Sequence, residues 1–172
     1  MKKKSVLIFI AAKDFNESEY LIVRNKLIKS DFQIFLSSDS NSVCQSNAGL
    51  VVRADISLFN VHVKNFEAFI IIGGNGIKNY WNNTVLQKIV QEFNKYNKII
   101  GAICNAPVIL AKSGLLKNKS ATCYSESILE LKRAGANFND SQVVVEKNIV
   151  TAKDPFSADI FIDTIINLMK VN

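Results

Sequence analysis

The chain of 172 residues contains one histidine, His62, and three cysteines, Cys44, Cys104 and Cys123. A single histidine excludes a histidine-based metal centre, and no two of the cysteines have the spacing of zinc ligands, so no metal is expected. An odd number of cysteines argues against a disulfide framework, which makes a reducing cytoplasm the expected location. Long apolar runs are also missing. None approaches the roughly 20 residues that a membrane span needs, and a soluble protein without a membrane partner is expected. The opening "MKKKSVLIFIAA" imitates a signal peptide, yet Lys13 and Asp14 follow at once and no small-x-small cleavage site closes the run; a first buried strand is the better reading. The formal charge is +6, but beyond the three N-terminal lysines the basic residues are scattered. Without a stripe of Lys and Arg interleaved with aromatics, nucleic acid is not an expected partner.

Hydrophobic residues are plentiful, at 48% of the chain. That is enough for one full-sized core, and a single domain over 1–172 is expected. The runs 5–11, 32–37, 66–74 and 98–104 are continuously apolar, as strands buried on both faces should be. Helical spacing separates them. Over 84–96 it involves Val85, Leu86, Ile89, Val90 and Phe93, and over 17–29 it involves Leu21, Ile22, Leu27 and Ile28. A last helix starts at Asp154-Pro155 and carries Ile160, Phe161, Ile165, Ile166 and Met169. Before it, 143–152 reads as a hairpin turning at Lys147-Asn148. Strands alternating with helices predict an α/β three-layer sandwich of the flavodoxin-like kind, with a mostly parallel sheet covered on both faces. In such folds ligands meet the carboxyl ends of the strands, which selects three corners: 11–19, 73–78 and 104–107.

The third corner places Cys104 where a strand turns directly into a helix, the geometry of a nucleophile elbow. A cysteine facing a helix N-terminus loses its proton more easily, its pKa falling from about 8.5 into the range of roughly 3.5 to 7.5. On position alone, a small buried hydrophobe closing the turn accounts for Cys104 equally well. The second corner, "IIIGGNG", supplies Gly74, whose N–H can hold an oxyanion. In the first, Asp14 with Glu17, or Asn16 with Glu19, has the spacing of a helix capping box. A glutamate that reached the thiolate instead would need to be protonated, since two adjacent anions repel. His62 precedes the strand that ends at Gly73, which puts it roughly 20 Å from the crevice at about 3.3 Å per strand residue. It is read as a surface residue.

The series "VLIFIAAKDFNESE", "ADISL", "IIIGGNG", "AICNAP", "AKSGLLKNKSATCY", "RAGANF" and "VVVEKNIVTAKDP" resembles the ThiJ/PfpI superfamily nearly end to end. The resemblance implies that Cys104 is the reactive cysteine and Glu19 the acid that hydrogen-bonds it. It further implies that the backbones of Gly74 and Asn105 are oxyanion donors, and that Gly73, Asn75, Cys123 and Tyr124 line the pocket. No cofactor is implied, and members are usually homodimers or larger. Protease-like members have His where this chain has Asn105 and a glutamate where it has Lys78; in the deglycase branch a histidine stands where it has Tyr124. The leading expectation is a cysteine-dependent enzyme acting on small reactive carbonyls such as methylglyoxal, of the glyoxalase III or deglycase kind. A redox-responsive protein whose Cys104 oxidises to sulfinate is the alternative. A peptidase ranks third, because no histidine is at hand to protonate an amine leaving group.

Overall fold

Continuous apolar runs do form the centre of the sheet. In the computed structural model, which describes residues 3–39 and 42–171, the chain passes in turn through β1 (Ser5–Phe9), β2 (Lys13–Phe15), α1 (Glu17–Lys29), β3 (Gln33–Ser38), β4 (Val43–Ser46), β5 (Val51–Arg53), β6 (Ile56–Ser57), β7 (Ala68–Ile71), α2 (Thr84–Lys95), β8 (Ile99–Ile103), α3 (Pro107–Lys112), β9 (Ser120–Ala121), α4 (Ile128–Arg133), β10 (Asn137–Phe138), β11 (Val143–Glu146), β12 (Ile149–Ala152) and α5 (Ala158–Val171). Among the described residues the main sheet has seven strands, ordered β11-β12-β8-β7-β1-β3-β6. Every neighbouring pair is parallel except the β11–β12 hairpin. Helices α1 and α5 pack on one another and on the sheet, as do α2 and α3. The result is an α/β sandwich with a mostly parallel sheet between helical layers.

Register decides where the site falls. Phe9 lies beside Ile71, Ile71 beside Ala102, and Ala102 beside Thr151. The strands β1, β7, β8 and β12 therefore end at nearly the same level. The chain leaves them at Ile10, Ile72, Cys104 and Lys153, and these exits form one rim at the carboxyl edge of the sheet.

Two helical faces differ from the sequence reading. Helix α1 buries Glu19, Tyr20, Val23 and Leu27, whereas Ile28 is exposed. Its inward stripe runs through positions 20, 23 and 27, and a glutamate occupies part of that stripe. Helix α5 likewise turns Ile160 outward and buries Ala158, Phe161, Ile162, Ile165, Ile166 and Met169. Its entry is a 3-10 turn, Pro155–Ser157, capped by Asp154, whose Oδ1 accepts from the Ser157 N–H at 3.0 Å and from its hydroxyl at 2.9 Å. The hairpin turns at Lys147, which has φ +56°. Sequence periodicity missed the small β2-β4-β5 sheet and the β9–β10 pair. These strands are two to four residues long, too short for a period to mark them. Among the described residues no helix is long and apolar enough to cross a membrane.

Candidate active site

At the end of β8 the chain must reverse within three residues before Pro107 opens α3. Cys104 makes the reversal at φ +65°, in the left-handed region that a side chain normally avoids. Holding a non-glycine residue there costs on the order of 1–3 kcal/mol, which surrounding bonds must offset. Two do so from the backbone: Cys104 N–H donates to Ala152 O at 3.0 Å, and Cys104 O accepts from Tyr124 N–H at 2.8 Å. The second bond also sets the direction of the Cys104–Asn105 peptide, so the Asn105 N–H points away from Tyr124 and toward the thiol, where it hydrogen-bonds.

The glycine corner is held in the same way. The carbonyl of Gly73 accepts from Asn16 N–H at 3.0 Å. Its peptide partner, the N–H of Gly74, therefore faces the opposite direction and reaches Cys104. Gly74 adopts φ +104°, a conformation that glycine supplies without strain. Both backbone groups that the sequence nominates as oxyanion donors converge on one sulfur, each pinned through the carbonyl of its own peptide.

Asn105 does more than lend its N–H. Its Nδ2 donates to Gly74 O at 3.0 Å, its Oδ1 accepts from Ser127 Oγ at 2.6 Å, and its carbonyl accepts from Trp81 Nε1 at 2.8 Å. Only 2% of it is exposed. The residue directly after the elbow cysteine thus ties the β7 corner to the β8 corner.

Glu19 is the buried acid. Asn16 caps α1 by accepting the Glu19 N–H at 3.0 Å on its side chain, which decides between the two capping spacings. The Glu19 carboxyl does not return to complete the box. Its Oε2 accepts the Gly73 N–H at 2.8 Å, while Oε1 has no hydrogen-bond partner. Gly73 is the spacer: a Cβ there would lie 2.5 Å from Cys104 Cβ and 2.8 Å from Glu19 Oε2. Burial pushes the Glu19 carboxyl up to about 8, against the lowering effect of the Gly73 N–H and the Cys104 thiol.

Burial also raises the Cys104 thiol, and charge on Glu19 raises it further; the N–H groups of Gly74 and Asn105 pull it back. Burial thus acts against the lowering expected from the helix end. Helix α3 has six residues, and the thiol is only 4% exposed. Desolvation therefore outweighs the short helix.

Beside the thiol opens a pocket of about 280 Å³, lined by Asp14, Asn16, Asn47, Gly74, Asn75, Cys104, Asn105, Tyr124, Asp154, Pro155 and Phe156. Of the residues nominated for the site, Cys104, Gly74, Asn105, Asn75 and Tyr124 line it. Gly73 and Glu19 lie beneath the sulfur and do not. Cys123 is also absent from the lining; it is fully buried, and burial pushes its thiol up to about 12. Asp154 was read only as a helix start, Phe156 was not singled out, and the side chain of Asn105 was not assigned a task. The strand-end rule, applied from the sequence to three corners only, reaches the loop after β12 because the structure places β12 beside β8. His62 is exposed and precedes β7, at the opposite edge of the sheet. Among the described residues no three His, Cys, Asp or Glu side chains cluster as a metal site.

A family model described as the DJ-1/PfpI family matches residues 4–168. An uncharacterized protein of Methanocaldococcus jannaschii is 39% identical over 164 residues, 94% of this chain and 80% of that protein. The glutathione-independent glyoxalase DJR-1.2 of Caenorhabditis elegans is 26% identical over 156 residues, 91% of this chain and 83% of that protein. The crystal structure of a ThiJ/PfpI domain protein from Brachyspira murdochii superposes with a TM-score of 0.96 at 24% identity, covering 100% of this chain and 99% of that one. That last likeness concerns the fold.

Proposed function

The chain belongs to the DJ-1/PfpI family, and from that premise we propose that it is a cysteine-dependent enzyme in which Cys104 attacks small electrophilic carbonyls, α-oxoaldehydes such as methylglyoxal among them. The observation that carries this reading is the strained Cys104 with two pinned N–H groups aimed at its sulfur and a buried acid behind it. The thiol and carboxyl titrate as a pair, because two adjacent buried anions repel. The pair therefore holds at most one negative charge. On sulfur, that charge meets the N–H groups of Gly74 and Asn105 and the O–H of a protonated Glu19. On the carboxylate it meets the N–H of Gly73 and the weaker S–H donor of Cys104. The larger set of donors favours thiolate with the proton on Glu19.

In the reaction the thiolate forms a carbon–sulfur bond to the carbonyl carbon, and the carbonyl π electrons move to oxygen. The two N–H groups hold that oxyanion, and Glu19 returns its proton to it. The test is methylglyoxal loss with purified protein. Activity should vanish in Cys104→Ser, and equal rates in the two proteins contradict the reading.

A second reading has its own support. The unpartnered Oε1 of a protonated Glu19 would find an acceptor in a sulfinate oxygen on Cys104. Mild peroxide should then add two oxygens at Cys104 by intact mass, and an unmodified thiol contradicts this second role. Peptide cleavage ranks below both, since the one histidine lies at the far edge of the sheet.

A further inference from the structure

The pocket over Cys104 is acidic although the protein is basic. Lysine and arginine total 21 against 15 acidic residues in the chain, yet Asp14 and Asp154 are the charged residues that line the pocket. On the neighbouring corners, Lys13 is exposed and does not line the pocket, and two other lysines are paired with carboxylates outside it. Lys153 Nζ pairs with Asp140 at 2.5 Å, and Lys78 Nζ pairs with Glu126 at 2.9 Å.

We propose that the site takes carbonyl compounds bearing a positive charge, an ammonium or guanidinium group, and disfavours those bearing carboxylate or phosphate. This deepens the reading of Cys104 as nucleophile and rests on it. An anionic substituent in the pocket would face two carboxylates with no lining cation to offset them. A cationic one would gain from both. Asp154 directs its Ser157 bonds to Oδ1, and its field reaches the buried acid, where it adds to the upward push on Glu19. Phe156, 91% exposed at the rim, offers a ring face that attracts cations as well as apolar groups. The asparagines of the lining serve neutral parts of a ligand. The charge preference is local, because the net charge of +6 would by itself draw anions.

A pair of thiol reagents isolates this property from turnover. Trimethylammonium-ethyl methanethiosulfonate and its sulfonatoethyl counterpart both form a disulfide with a thiolate and release methanesulfinate. They differ in charge. Cys44 and Cys123 are fully buried, and Cys104→Ser gives the background. The ratio of the two rate constants at Cys104, divided by the ratio for a small free thiol at low salt, should favour the cation by about tenfold. It should fall by about threefold in each of Asp14→Asn and Asp154→Asn, and in high salt. Both replacements suit their positions: asparagine tolerates the φ of +59° at residue 14 and caps a helix as aspartate does. A normalised ratio near one, or one that the two variants leave unchanged, overturns the charge preference while the nucleophile stands. Failure of both reagents to label Cys104 overturns the nucleophile, and the preference with it.

Discussion

Cys104 and Glu19 are neighbours because Gly73 lets them be. Since a side chain at 73 would meet both of them closer than 3 Å, Gly73→Ala must push the thiol and the carboxyl apart. It should cost about 1–3 kcal/mol of stability and most of the carbonyl activity; denaturant midpoints and methylglyoxal assays check the two effects, and full activity in this variant contradicts the packing described. Glu19 also leaves a signature in stability. Its carboxyl ionises near 4.5 when unfolded and near 8 when folded. Between those values the folded state holds a proton that the unfolded state has lost. The stabilisation is therefore complete below about pH 4.5, declines as pH rises, and is gone above about 8. Thermal midpoints should fall across that window in the native protein and much less in Glu19→Gln. Equal slopes would place the carboxylate in the ionised form.

At the scale of elements, the site depends on two loops held in register. Asn105 bonds the loop after β7 through Gly74 O and the turn before α4 through Ser127. Asn105→Ala leaves Gly74 O and the Ser127 hydroxyl without these buried bonds, at a cost of about 1–3 kcal/mol. It should lower kcat more than it raises KM for methylglyoxal, because the Gly74 and Asn105 donors act on the oxyanion; a change in KM alone contradicts that placement. Helix α1 supplies a second test. Val23→Ala on its buried stripe should cost about 1–3 kcal/mol, while Ile28→Ala on its exposed side should stay within about 0.5 kcal/mol. Reversed costs in urea melts would restore the stripe through Ile28 that the apolar spacing suggested. That spacing misled because α1 buries Glu19 and Tyr20 while leaving an isoleucine in solvent, so a period counted on hydrophobicity alone is rotated.

Over the whole molecule, parallel strands bury both faces, which makes β1, β3, β7 and β8 continuous in the sequence and visible without coordinates. The corners followed from topology, since parallel strands deliver their carboxyl ends to one edge. The polar tethers were hidden. Asn105 to Gly74 spans 31 residues and Asn16 to Gly73 spans 57, and nothing local marks either contact. Burial of the thiol was hidden for the same reason: a helix end can be read from Pro107, but the desolvation that outweighs it comes from the folded molecule. The balance between burial and converging donors decides whether Cys104 is a nucleophile at all. The pH dependence of iodoacetamide labelling at Cys104, followed by intact mass with Cys104→Ser as control, measures that balance most directly. Labelling should rise with a midpoint below the ordinary thiol value of about 8.5, and Glu19→Gln should move that midpoint little. A thiol silent until pH is above roughly 10, and brought to lower pH by Glu19→Gln, would put the charge on the carboxylate and contradict the account.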